Sequence, residues 1–133
     1  MVEYTKRFPV RIANIAPLQP ITSDTFIDVA TLTAPLEELP AGEYVVTIYF
    51  VLSNPDTNDS LYWRILAIGS PDDPIEFAVE AKDTTDVIPV TYNTNRPLDG
   101  NTPVGLILQM RKEDASANDI LITGGGIRVE RVS

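Results

Sequence analysis

Carboxylates are the one chemically versatile side-chain class this sequence holds in quantity: 19 Asp and Glu in 133 residues, against no histidine and no cysteine. Without imidazole or thiol there can be no Ser-His-Asp or Cys-His nucleophile pair, zinc finger, disulfide framework, or thiolate or imidazole metal site. A hydrolytic pair of carboxylates needs its carboxyls roughly 5 to 9.5 Å apart. Glu76 and Glu80 share a strand face, but four residues at about 3.3 Å each put them too far apart, near 13 Å. Glu37-Glu38 and Asp72-Asp73 stand beside turns, where solvated surface accounts for them; only a pair assembled from different loops stays open. The expectation is a protein that is not an enzyme.

Oxygen ligands for calcium come next. Asp56-Thr-Asn-Asp59 begins like an EF-hand loop, but the sixth position is Leu61 instead of glycine and the twelfth is Ala67 instead of glutamate. A looser site from Asn54, Asp56 and Asp59, or from Asp99 and Asn101, competes with simple Asx-turns at the same residues. Gly124-Gly-Gly126 has no lysine after it and precedes a strand pattern, so it is no phosphate loop. The chain is expected to carry no metal and no cofactor. Sugar rings stack on exposed aromatics, and Tyr49, Tyr62, Trp63 and Tyr92 all lie on strand patterns. Tyr49 and Tyr62 fall opposite the larger apolar stripes, which makes them the candidate glycan platform, while Trp63 reads as core.

The elements that position these residues are strands. Ile75, Phe77, Val79 and Ala81 alternate with Glu76, Ala78, Glu80 and Lys82, the period of a sheet with one dry face. Tyr44, Val46, Ile48, Phe50 and Leu52 alternate with Val45, Thr47, Tyr49 and Val51; Leu61, Trp63 and Ile65 alternate with Tyr62, Arg64 and Leu66. Further strands are expected at 25–33, 86–92, 104–111, 119–123 and 127–132, eight in all. Turn residues fall between them: Pro40 to Gly42, Asn54 to Asp59, Gly69 to Pro74, Asn93 to Thr102, and Gly124 to Gly126 as a hairpin. No proline-free stretch of ten residues has helical period; Leu36–Leu39 offers one turn at most. Eight short strands in one domain predict an all-β, two-sheet sandwich over 25–133, most economically a jelly roll of antiparallel strands; an immunoglobulin-like sandwich without its disulfide is the rival.

Residues 1–24 differ. Pro9, Pro17 and Pro20 forbid a helix and disfavour a central strand. Phe8, Val10, Ile12 and Ile15 are nevertheless apolar, with Arg11 among them. The segment reads as an extended N-terminal arm lying on its own sandwich, on a sister subunit or on another protein, with an edge strand of its own sheet as the plain reading. The five residues Phe8, Val10, Arg11, Ile12 and Ile15 are its candidate partner contacts. On this reading, removing residues 1–20 should leave a folded domain.

Charge is placed unevenly. Residues 1–23 carry a net +2 and residues 24–110 a net −11, within a total of −9. The acidic body repels phosphates, so nucleic acid is not an expected partner. The apolar run Tyr44–Leu52 is far shorter than the roughly 18 residues of a spanning helix, and no apolar signal segment follows Met1, so neither membrane nor secretion is expected.

Four segments together resemble the small jelly-roll modules of tailed-bacteriophage virion proteins: Leu39–Phe50 (LPAGEYVVTIYF), Phe77–Asp83 (FAVEAKD), Val104–Arg111 (VGLILQMR), and the closing pair 119–123 and 127–132. The likeness spans about residues 39–132; Pro103-Val-Gly105 departs from the usual approach to its strand. It implies a virion structural protein, most simply a head decoration (cement) protein that bridges neighbouring capsid subunits. The implied partners are the major capsid protein or another virion protein, and further copies of the chain. The implied location is the capsid surface, after synthesis in the host cytoplasm. The alternative it implies is a receptor- or carbohydrate-binding domain of a tail fibre or spike. A chain that begins at Met1 and closes on a strand is expected to be the former.

Overall fold

A computed structural model of the chain describes residues 10–32, 41–53, 60–68, 76–80, 87–98, 105–113 and 119–132. Phe8, the 36–39 turn, Glu37, Glu38, Asp72, Asp73 and the candidate calcium residues Asn54, Asp56, Asp59, Asp99 and Asn101 lie outside them.

Nine strands are described: β1 (Val10–Asn14), β2 (Gln19–Ile21), β3 (Ile27–Leu32), β4 (Gly42–Ser53), β5 (Ser60–Ile68), β6 (Glu76–Glu80), β7 (Val87–Leu98), β8 (Gly105–Lys112) and β9 (Ile120–Arg131). They form two antiparallel sheets. One runs β1-β9-β4-β7, with β2 also on β9; the other runs β3-β8-β5-β6. The chain crosses between sheets at every connection after β2 except β5 to β6, which is the wrapping of a jelly roll. The fold class read from alternation is therefore correct, and the immunoglobulin-like rival is not the arrangement.

Alternation decides what is dry. Tyr44, Val46, Ile48, Phe50 and Leu52 of β4 face Leu61 and Trp63 of β5 and Leu106, Leu108 and Met110 of β8 in one core, all buried. A fully buried Val, Leu, Ile or Phe contributes about 1.5–3 kcal/mol, so this interior is the main stabilising term. Toward the β6–β7 side it becomes aromatic. Trp63 stacks on Phe77 at 4.5 Å, and meets Phe50 edge-on at 5.7 Å and Tyr92 at 5.5 Å. Those rings close the sandwich where its two edge strands would otherwise gape.

Two sequence expectations need correction. The segments 119–123 and 127–132 are one twelve-residue strand, and Gly124-Gly-Gly126 is no hairpin but its middle. A Cβ at Gly125 would fall on the Tyr49 carbonyl oxygen and 2.7 Å from Phe50 Cβ, and φ is +140° there. A Cβ at Gly126 would fall on the Ala13 carbonyl oxygen. Glycine is required at both because β4 and β1 approach too closely for a side chain. The closing pair on which the family resemblance partly rested is thus a single element. Likewise, β7 continues to Leu98 through residues read as a turn; as an edge strand it tolerates Pro89 and Pro97.

Candidate functional site

Three surfaces carry the residues singled out by sequence. The first is the open edge at β1 and β2. These strands lie end to end along β9, Val10 opposite Glu130 and Ile21 opposite Ile120, with a break at Ile15–Leu18 where Leu18 takes φ +58°. Residues 10–21 take the plain reading, an edge of their own sheet, and not an arm laid over another molecule. This follows from their alternation, which gives β9 a strand-compatible partner despite the flanking prolines. Ile15 is corrected outright. It is 3% exposed, its amide donates to the Gly125 carbonyl at 2.8 Å, and it belongs to the core, so it cannot serve a partner. Ile12 is 53% exposed and stands opposite Arg128, Arg11 is half-buried, and Leu18, not singled out before, is 62% exposed. Val10 contributes its backbone to the pairing. Residues 10–20 contain β1, most of β2 and the buried Ile15, so the geometry speaks against the expectation that residues 1–20 are dispensable for folding.

The second surface is the outer face of the five-stranded sheet. Register places Tyr49 between Gly126 on β9 and Thr91 on β7, and Val51 between Gly124 and Pro89. Because β9 offers no side chains along this stretch, a depression of about 180 Å³ remains, lined by Tyr49, Val51, Pro89, Thr91, Gly124 and Gly125.

The third is the outer face of the four-stranded sheet, where Tyr62 lies. Its ring is covered by the Arg111 guanidinium at 4.2 Å, and Arg64 sits 4.0 Å over Phe26. Arg64 Nε donates to Gln109 Oε1 at 2.8 Å, Gln109 Nε2 donates to Asp28 Oδ1 at 2.7 Å, and Arg111 pairs with Glu76 at 3.5 Å. This lattice of stacked cations spans β3, β8, β5 and β6 and gives the face a fixed polar coat. Tyr62 is therefore not a free stacking surface. It also lies on the opposite outer face from Tyr49, so the two tyrosines do not form one platform. Trp63 belongs to the core cluster, and Tyr92, partly buried, packs against it. The Phe26–Arg64–Arg111 stacking was not legible beforehand, since its members are far apart in sequence.

Among the described residues one charge is buried. Lys112, 1% exposed, ends β8 with Nζ 3.4 Å from Asp119 Oδ1, and its amide donates to the Ser23 carbonyl at 2.8 Å. It is held by partners and ties the 23 and 119 segments to the end of the sandwich. Among the described residues no group of three or more acidic side chains could hold a metal ion. No described helix is long and apolar enough to cross a membrane.

What this geometry defines is a jelly-roll β-sandwich with one open apolar edge, one glycine-floored outer depression and one cation-coated outer face. No protein-family model and no curated protein matches the sequence. Solved structures do match the fold. A chain in the structure of infectious bursal disease virus, Gt strain, superposes with a TM-score of 0.67 at 14% identity over 98% of this chain. This chain spans only 35% of that one. The Eiger TNF of S. frugiperda gives 0.52 at 12% identity, covering 96% of this chain and 94% of its own. Dimeric latent PorU of Porphyromonas gingivalis gives 0.55 at 8% identity, over 94% of this chain and 13% of its own. Likeness at such identities speaks to the fold.

Proposed function

We propose that this protein is a non-enzymatic structural protein of a phage virion, a decoration (cement) protein that bridges and stabilises neighbouring capsid subunits. The observation that carries the reading is the edge of the five-stranded sheet. There β1 has no further strand beside it among the described residues, and Ile12 and Leu18 stand in solvent. Such an edge invites a strand from another chain, with main-chain hydrogen bonds giving affinity and the exposed side chains giving grip. The fold likeness to a chain of infectious bursal disease virus supports a virion setting. Charge supports a directed contact: the +2 of residues 1–23 can face an acidic neighbour while the −11 of residues 24–110 keeps bodies apart.

The gain per copy is small. Covering the exposed halves of Ile12 and Leu18 contributes roughly 1 kcal/mol each. Many symmetric copies, and contacts between copies, multiply it into a stable coat. On this reading the partner is the major capsid protein or another virion protein, the site of action is the capsid surface after synthesis in the host cytoplasm, and neither nucleic acid, membrane nor cofactor takes part.

The test is co-sedimentation of the purified protein with capsids of the encoding phage assembled without it, followed by cryo-electron microscopy. Wild type should saturate symmetric positions, and Ile12→Asp combined with Leu18→Asp should weaken binding about tenfold or more with an unchanged circular-dichroism spectrum. Failure to bind any capsid, or equal binding by the double variant, refutes the reading.

A further inference from the structure

The three consecutive glycines of β9 are not equivalent. Close backbone approach requires glycine at 125 and 126, but a Cβ at Gly124 would meet nothing within 4 Å and its φ is not one that L residues avoid. Gly124 borders the irregularity where the β4–β9 register slips between Val51 and Leu52, but neither a close contact nor a left-handed φ demands glycine there, and a Gly in a strand interior weakens it relative to a side chain. What the missing side chain leaves behind is the depression beside Tyr49. That tyrosine is half-buried, and its hydroxyl makes no hydrogen bond with a described residue.

We propose that this depression is a binding site for one neutral sugar ring, seated against Tyr49 over Gly124. The proposal is independent of the capsid-docking edge and holds wherever the protein resides. Four observations select that occupant. The space, about 180 Å³ and open to solvent, suits a six-membered ring, since about 150 Å³ accommodates benzene. The lining combines aromatic Tyr49 and apolar Val51 and Pro89 with Thr91 as a hydroxyl-bearing residue, the mix of residue types that suits a pyranose with one C–H face and a hydroxyl rim. The site lies over β4, whose backbone is laddered on both sides to β7 and β9, so a peptide cannot enter by strand addition. Finally, Arg128 and Glu130, two residues of β9 beyond the glycines, pair with each other at 3.2 Å, and no residue lining the depression is charged. Thr47 and Asn93, one row along the same face, extend the uncharged hydrogen-bonding rim.

The experiment titrates the full ¹⁵N-labelled chain separately with cellotetraose, maltotetraose, mannotetraose and β-1,4-galactotetraose, with sialyllactose and an eight-residue polyproline peptide as contrasts. At least one neutral tetrasaccharide should shift the amides of Thr91, Gly124 and Gly125, saturating at millimolar concentration or below. Tyr49→Ala should weaken that binding roughly tenfold. Gly124→Val should abolish it while keeping the wild-type melting temperature, which separates a filled site from a damaged fold. The proposal is overturned if no neutral tetrasaccharide shifts these amides at 10 mM added sugar (on the order of the weakest useful affinity), or if only the peptide or sialyllactose does. It is equally overturned if binding survives in both variants, or if the shifts map to Tyr62 instead.

Discussion

Replacing each glycine of the β9 triplet by alanine, one at a time, separates the observed strand from a hairpin reading of the same residues. At Gly125 the new methyl would sit on the Tyr49 carbonyl oxygen, with Phe50 Cα at 2.5 Å and Phe50 Cβ at 2.7 Å. Two of those three atoms are backbone of the central strand β4, which cannot swing aside as a side-chain tip can. Forcing β4 and β9 apart is overpacking, worth about 1–3 kcal/mol. Holding alanine at φ +140° adds strain of roughly 1–3 kcal/mol. The expected loss is therefore about 2–6 kcal/mol. At Gly126 the methyl meets the Ala13 carbonyl oxygen, and Asn14 Cα at 3.0 Å, but β1 is an edge strand that can move outward, so about 1–3 kcal/mol is expected. At Gly124 the methyl enters open space, and alanine should be neutral or stabilising by up to about 1 kcal/mol. For a domain of this size each kcal/mol moves Tm by roughly 3–5 °C. Differential scanning calorimetry should thus rank the variants Gly125→Ala lowest, by about 6–30 °C, then Gly126→Ala, then Gly124→Ala at or above wild type. Equal melting of all three, as a solvent-exposed turn would give, refutes the continuous β9 strand and the register built on it.

The remaining expectations concern the core and the N-terminal strands. Ile48→Ala, at a fully buried site, should cost about 2–5 kcal/mol in urea unfolding, whereas Phe77→Ala, half-buried and held mainly by its stack on Trp63, should cost about half as much; the reverse order would mean the inner face is misassigned. Deleting residues 1–21 removes β1, β2 and the buried Ile15 and Ile21, and should leave a chain without cooperative unfolding, while deleting 1–9 keeps every described strand and should melt cooperatively. A sharp thermal transition in the longer deletion would restore the dispensable-arm reading.

Much of this architecture was legible in the residue pattern. The alternation in β5 and β6 correctly divided inner from outer side chains, and Trp63 was correctly read as core, whereas β4, whose sequence suggests cover on both faces, has one buried and one half-exposed face. Two features misled. Glycine repeats and a proline-asparagine stretch carry turn chemistry, yet both lie inside strands, because a glycine forced by a neighbouring backbone looks identical in sequence to one that turns the chain. The prolines of residues 1–24 leave open whether the segment is an edge strand or an arm, with five of its residues as candidate partner contacts. Buried Ile15 and Ile21 show that Pro17 can sit between two short strands of an edge and Pro20 within the second.

The pair of tyrosines illustrates the deeper limit. Tyr49 and Tyr62 have the same local signature, an aromatic opposite an apolar stripe, but one borders a glycine-floored depression and the other lies beneath Arg111. A period of two says which side chains share a face of their own strand; it does not say which strand comes next or what that neighbour places alongside. So the sequence by itself determined the class of fold, the dry stripes and the absence of imidazole and thiol chemistry, because those depend on each segment alone. Strand order and register decided the rest: the open edge at Ile12, the cation coat over Tyr62 and the depression beside Tyr49 arise only where residues dozens of positions apart are brought side by side.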